Sequence, residues 1–155
     1  MAVVIVESLD ALRAESGREI GVSDWLFVTQ DRINQFAEAT GDHQWIHVDR
    51  ERAQRESPYG TTIAHGFLTL SLISYLIKEV LEVRGLRMAI NYGLNRVRFP
   101  SAVLADSKIR ARVTLQSVKD VADGVEVTWQ VTIESEGSEK PNCVAEWLTR
   151  YYPAA

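Results

Sequence analysis

Two of the chain's three histidines and two of its carboxylates fall between residues 42 and 49. They sit in the run Ala39-Thr40-Gly41-Asp42-His43-Gln44-Trp45-Ile46-His47-Val48-Asp49. A carboxylate and an imidazole on one short segment can share a water molecule, one accepting a proton while the other delivers one. Their free pKa values, about 4 and about 6.5, are close enough to neutrality for a pocket to tune both. The third histidine, His65, stands before Gly66 at the start of an apolar run. Amides at a helix N-terminus attract developing negative charge, and glycine lets a substrate approach the backbone closely. Asp42 and His47 therefore offer water activation, and His65-Gly66 offers an oxyanion site.

Each of these groups also has a structural role open to it. Asp42 fits a turn cap after Gly41, His43 a solvated loop position, and His47 a histidine bonded to backbone. Asp49 reads as a helix N-cap rather than a catalyst. His43 and His47 are four apart, as in some zinc sites, but His-Gln-Trp-Ile-His lacks the glutamate of the metalloprotease pattern. No metal site is expected. There is no Gly-x-Ser-x-Gly nucleophile motif and no glycine-rich phosphate loop. Cys143 is the one cysteine, which excludes an internal disulfide and the four-thiolate zinc sites. It falls in a strand-like segment and reads as inert core.

The elements that must position these groups follow from periodicity. Trp25 to Val28 reads as a short strand, and Thr29 as the N-cap of a helix with Ile33, Phe36, Ala37 and Thr40 on one face. Gly41 supplies the left-handed stop, so 41–49 reads as a loop leaving a helix. Asp49 opens a short helical turn through Ala53, ended at Ser57-Pro58-Tyr59-Gly60. Helical patterning returns after His65-Gly66 and runs to about Val83. Its apolar residues occupy nearly every face, as expected of a helix enclosed by other structure, with Phe67 and Tyr75 as core. Leu86 to Phe99 is a strand candidate closed by Pro100. Lys108 to Val118 and Val125 to Glu134 alternate apolar and polar residues around an Asp123-Gly124 turn, and Cys143 to Tyr152 makes a last strand. One apolar and one polar face imply an antiparallel, half-covered sheet. The expected fold class is therefore two-layer α+β, a sheet wrapped on one long helix.

The 155 residues favour one domain, spanning 1–155, large enough to bury roughly 70% of the surface of the unfolded chain. A hydrophobic fraction of 46% excludes disorder. A net charge of -4 with no Lys/Arg block argues against a nucleic-acid partner. Met-Ala-Val-Val-Ile-Val meets Glu7 too early for a signal-peptide core, and Phe67 to Leu81 is short and polar for a bilayer span. A soluble, cytoplasmic protein without a membrane partner is expected.

Thr40-Gly41-Asp42, Ile46-His47 and Ala53, with Ala64-His65-Gly66 ahead of a hydrophobic helix, resemble the MaoC-like (R)-specific enoyl-CoA hydratases from about Val22 onward. The resemblance implies the hot-dog fold, a long helix wrapped by an antiparallel sheet, and a homodimer whose sheets join edge to edge. It implies that Asp42 and His47 activate the water that adds to C3 of a trans-2-enoyl thioester such as an enoyl-CoA. It also places the oxyanion donor at Gly66 and a polar pocket residue at Ser74; the sequence itself carries no sign of a metal or redox cofactor, and none is expected. Gln44-Trp45 stands where the family commonly has Asn-Pro. A hot-dog thioesterase is the rival enzyme, although the helix offers only Glu79 and Glu82 for its carboxylate. The rival of another class is a non-catalytic acyl-thioester binder or a subunit needing a partner chain.

Overall fold

The structure, a computed structural model, describes residues 2–155. Its strongest local signals are the alternating strands. β6 (Ser107–Val121), β7 (Gly124–Ser135) and β8 (Cys143–Pro153) pair antiparallel, as the patterning predicts. Ile109, Ala111, Val113 and Leu115 of β6 are fully buried, and so are Val127, Trp129, Val131 and Ile133 of β7. Each buried valine, leucine or isoleucine among them contributes about 1.5–3 kcal/mol by leaving water. The β6–β7 turn needs its glycine, because a Cβ on Gly124 would lie 2.3 Å from the Tyr151 carbonyl oxygen. The six-stranded sheet is completed by β2 (Glu19–Val22) and β3 (Leu26–Val28), both on β6, and by β5 (Leu86–Arg98) on β8. Because β5 pairs with β8 alone in the sheet order, it forms an edge.

Two helical segments precede the 42–49 run. α1 (Leu9–Arg13) is capped by Ser8, and α2 (Gln30–Thr40) by the Thr29 hydroxyl, which accepts from the Arg32 amide at 3.1 Å. Gly41 ends α2 at φ 78°, as the left-handed stop requires. The segment after it is not all loop, since Trp45–Val48 closes one helical turn, α3. Asp49 then caps α4 (Arg50–Glu56), accepting from the Arg52 amide at 3.0 Å.

The apolar helix differs from expectation in length and in surroundings. It runs through α5 (Gly66–Ser71), α6 (Ile73–Leu76) and a closing 3-10 turn at Ile77–Glu79. Leu72 keeps right-handed helical angles at the join. The helix does not reach Val83, because Leu81–Val83 forms a strand, β4, paired in parallel with β1 (Val4–Val6). Tertiary pairing with a distant segment overrides the local pattern there. Nor is the helix enclosed on every side: Leu68, Leu72, Ile73 and Leu76 face the sheet, while Phe67 is 71% and Tyr75 48% exposed. Neither aromatic belongs to the core. An antiparallel sheet packed on this helix is the arrangement that the resemblance implies.

Candidate active site

The geometry of the site starts at the end of α2. Asp42 is exposed, and its carboxylate accepts the Gln44 amide at 3.3 Å, so it does cap the turn. The same turn swings Ile46 and His47 inward on α3. His47 is buried, and its Nδ1–H donates to the Ile63 carbonyl at 2.7 Å. That bond fixes the neutral tautomer and leaves the lone pair on Nε2. Burial holds the His47 pKa below its ordinary 6.5, and the neighbouring His65 pushes the same way; the Ile63 bond and Asp42 oppose them. His47 is thus an unprotonated base at neutral pH.

His65 is also buried, and its Nε2–H donates to the Asp42 carbonyl at 3.0 Å. Its ring stacks on His47 with centroids 3.8 Å apart and meets Phe36 at 4.9 Å. One ligand atom from each of Asp42, His47 and His65 lies within 4.8 Å of the others. The spacing alone would suit a cation. The two imidazoles are only 22° from parallel. The stacking holds the His65 ring against the base His47.

Gly66 is the first residue of α5, and the helix's first internal bond in this turn is from the Thr69 amide to the His65 carbonyl at 3.1 Å. The Gly66 amide precedes it, as a helix-start donor does. A side chain there would meet the Phe99 ring at 3.2 Å, so glycine keeps this approach open. A cavity of about 240 Å³ brings His47, Gly66, Tyr59, Thr69 and Phe99 to one surface. Asp42, His47, His65 and Gly66 therefore assemble at one end of the helix. Ser74 does not join them; it lies two turns on, in a second cavity.

The remaining sequence candidates take structural positions. His43 is exposed and faces Glu38 at 3.3 Å. Trp45 lies half-buried beneath the Arg52 guanidinium, 4.2 Å from its ring centroid. Cys143 is buried, which pushes its thiol up to about 11. Sequence reasoning missed Gln30 and Thr62. The Gln30 side-chain amide donates to the His47 carbonyl at 2.7 Å, and the buried Thr62 hydroxyl donates to the Gln30 carbonyl oxygen. Only their burial marks them, since glutamine at the start of a helix is otherwise unremarked.

The sequence profile described as MaoC like domain matches residues 12–136. The chain is 53% identical over 146 residues to 3-hydroxyacyl-thioester dehydratase Z of Mycobacterium tuberculosis (strain ATCC 25618 / H37Rv), covering 94% of this chain and 96% of the relative. Among solved structures, R-hydratase PhaJ1 from Pseudomonas aeruginosa superposes with a TM-score of 0.72 at 21% identity, covering 90% of this chain and 83% of that one. The monoamine oxidase regulatory protein from Archaeoglobus superposes with a TM-score of 0.77 at 21% identity over the whole of both chains. At that identity the superpositions establish the hot-dog fold. The profile match and the close relative establish the rest: this chain belongs to the MaoC-like dehydratase family.

Proposed function

We propose that this chain interconverts trans-2-enoyl thioesters and (3R)-hydroxyacyl thioesters by adding or removing water. The observation that carries the reading is the convergence of the Asp42 carboxylate and the His47 imidazole within 4.8 Å, beside the Gly66 amide. In hydration, Asp42 and His47 hold one water between them. Its oxygen bonds to C3 as the pair takes a proton, and the C2–C3 π electrons move toward the thioester carbonyl. The Gly66 N–H bonds the oxygen that gains this charge, a contribution of roughly 3–4 kcal/mol for one such donor. A proton from the pair then goes to C2, leaving both groups as they began. Dehydration is the same path reversed, the direction carried in the name of the mycobacterial relative.

A thioesterase finds less support. Glu79 lies at the far end of the helix from Gly66, and Glu82 is not on the helix but on β4, engaged with Arg84 at 3.0 Å.

A homodimer is the second part of the reading. β5 is a 13-residue edge carrying exposed Met88, Ile90, Tyr92 and Leu94, and Phe67 and Tyr75 are bare on the nearby helix. A long apolar edge is a template for pairing with another strand, and a second copy offers the same edge. Light scattering at working concentration should return twice the chain mass; a monomeric mass removes this part. No helix among the described residues is long and apolar enough to cross a membrane. A buried, unreactive Cys143 suits the reducing cytoplasm.

The deciding assay follows the ultraviolet absorbance of a short trans-2-enoyl-CoA, resolves product chirality and measures free thiol. Loss of the conjugated band with (3R)-hydroxyacyl-CoA formed and no thiol released is expected. Thiol release would instead establish the thioesterase. No reaction at any chain length would leave a binder or a subunit that needs a partner chain.

A further inference from the structure

A cavity of about 610 Å³ lies at the Glu79 end of the central helix. Ser74 and Ile77 line it from the helix, Trp147 and Tyr151 from β8, and Val3 and Ile5 from the N-terminal segment. A smaller cavity of about 110 Å³, bounded by Leu70 and Ser71, shares Ser74 and Trp147 with it. The two cavities thus follow the helix from one turn past Gly66 to its end.

The larger cavity is suited to hydrocarbon. Its indole N–H, on Trp147, donates to the Asn91 side-chain oxygen at 2.7 Å, and the Thr149 hydroxyl accepts from the Trp129 indole at 2.9 Å. These polar groups are occupied within the protein; the charged Lys78 and Glu82 also stand on the lining, and Glu82 is bonded to Arg84. Burial pushes the Tyr151 phenol up to about 12.

The far wall is unusual. Val4 to Val6 pair in parallel with Leu81 to Val83, forming a two-stranded strap apart from the main sheet. Alternation along a strand turns Val6 into the core and Val3 and Ile5 to the other side, where they border the cavity. The MaoC like profile spans residues 12–136, so β1 precedes it while its partner β4 lies within it.

We propose that Val3 and Ile5 form the end wall of the acyl-chain chamber and set the longest acyl chain the enzyme accepts. This rests on the hydratase reading above. The stretch of helix from Gly66 to Ser74 is roughly 12 Å long at 1.5 Å per residue. An extended alkyl chain advances about 1.3 Å per carbon at ordinary bond lengths, so roughly ten carbons separate the thioester carbonyl from Ser74. Shorter tails end before the strap, and longer ones press on Val3 and Ile5.

The test measures kcat/KM of the full chain for four-, eight-, twelve- and sixteen-carbon trans-2-enoyl-CoAs. Ile5→Trp should leave the four-carbon substrate unchanged and lower the two longest by about tenfold or more, the scale of steric discrimination in an apolar pocket. The double variant Val3→Ala with Ile5→Ala should raise the long-to-short ratio several-fold. An unchanged chain-length profile, with four-carbon turnover intact, overturns the proposal. If Ile5→Trp loses four-carbon turnover and so fails to fold, the alanine variant decides, and an unchanged ratio there overturns it equally. A wild-type chain that hydrates no substrate at any length instead removes the functional reading beneath it.

Discussion

At its Gly66 end the central helix meets polar groups tied down by buried hydrogen bonds; at its Glu79 end it meets an apolar cavity bounded by a strap and an edge strand. The first end holds His47 through its ring to Ile63 and through its carbonyl to Gln30. The second is walled mainly by apolar side chains, with Trp147 and Thr149 hydrogen-bonded away within the protein. Adding water across a double bond needs donors and acceptors placed to a fraction of an ångström, whereas an alkyl tail needs only dry volume. Order is concentrated where the proposed chemistry is directional.

The sharpest way to break this contrast is at the acid/base pair. Asp42→Asn and His47→Gln should each lower kcat by about 10²–10⁴-fold. Thermal unfolding should change little for the exposed Asp42, and His47→Gln should lose about 1–3 kcal/mol with its buried bond to Ile63. Because the two act as a unit, the double variant should be little worse than the worse single one. Wild-type rates in either mutant would remove that residue from the mechanism.

One step outward, Gln30→Leu removes the clamp on the His47 carbonyl and leaves the Thr62 hydroxyl without its acceptor. A displacement of about 1 Å at the base should cost about 10²-fold in kcat. Unfolding in urea should show a loss of about 1–3 kcal/mol for the buried groups left unpaired. A stability loss without a rate loss would show that the clamp serves folding alone.

Acidity probes the same end without mutation. Burial keeps His47 below 6.5 in the folded chain, so above that pH both folded and unfolded forms are neutral and the group adds nothing to stability. As pH falls through 6.5, the unfolded chain takes a proton that the folded one refuses, and stability declines until the lower folded pKa is passed. The acidic limb of kcat/KM should likewise lie below 6.5. A limb at or above that value would exclude His47 as the free-enzyme base. The smallest effect is expected at Asp49→Ala, which removes the α4 cap at about 1 kcal/mol and should leave turnover within about twofold.

Much of this was legible before folding because it is local. The β6 and β7 alternation, the Gly41 stop, the Thr29 and Asp49 caps and the grouping of Asp42 with His47 each depend on a few neighbouring residues. The misread features are those that distant segments control. Leu81–Val83 has a helix-compatible pattern but becomes strand because β1 supplies its hydrogen bonds. Phe67 and Tyr75 look like core but stay bare, because no element among the described residues packs over them. Gln30 shows nothing in its neighbourhood of the carbonyl it will hold 17 residues on.

The amino-acid sequence by itself determined which groups are available for proton transfer and the elements that carry them, since residue type, spacing and periodicity act within a few positions. Tertiary structure alone decided that His47 is neutral, which ring nitrogen keeps the lone pair, and that Ser74 faces a different cavity from Gly66. Those properties depend on burial and on hydrogen-bond partners brought in from other elements, and neither exists until the sheet has closed on the helix.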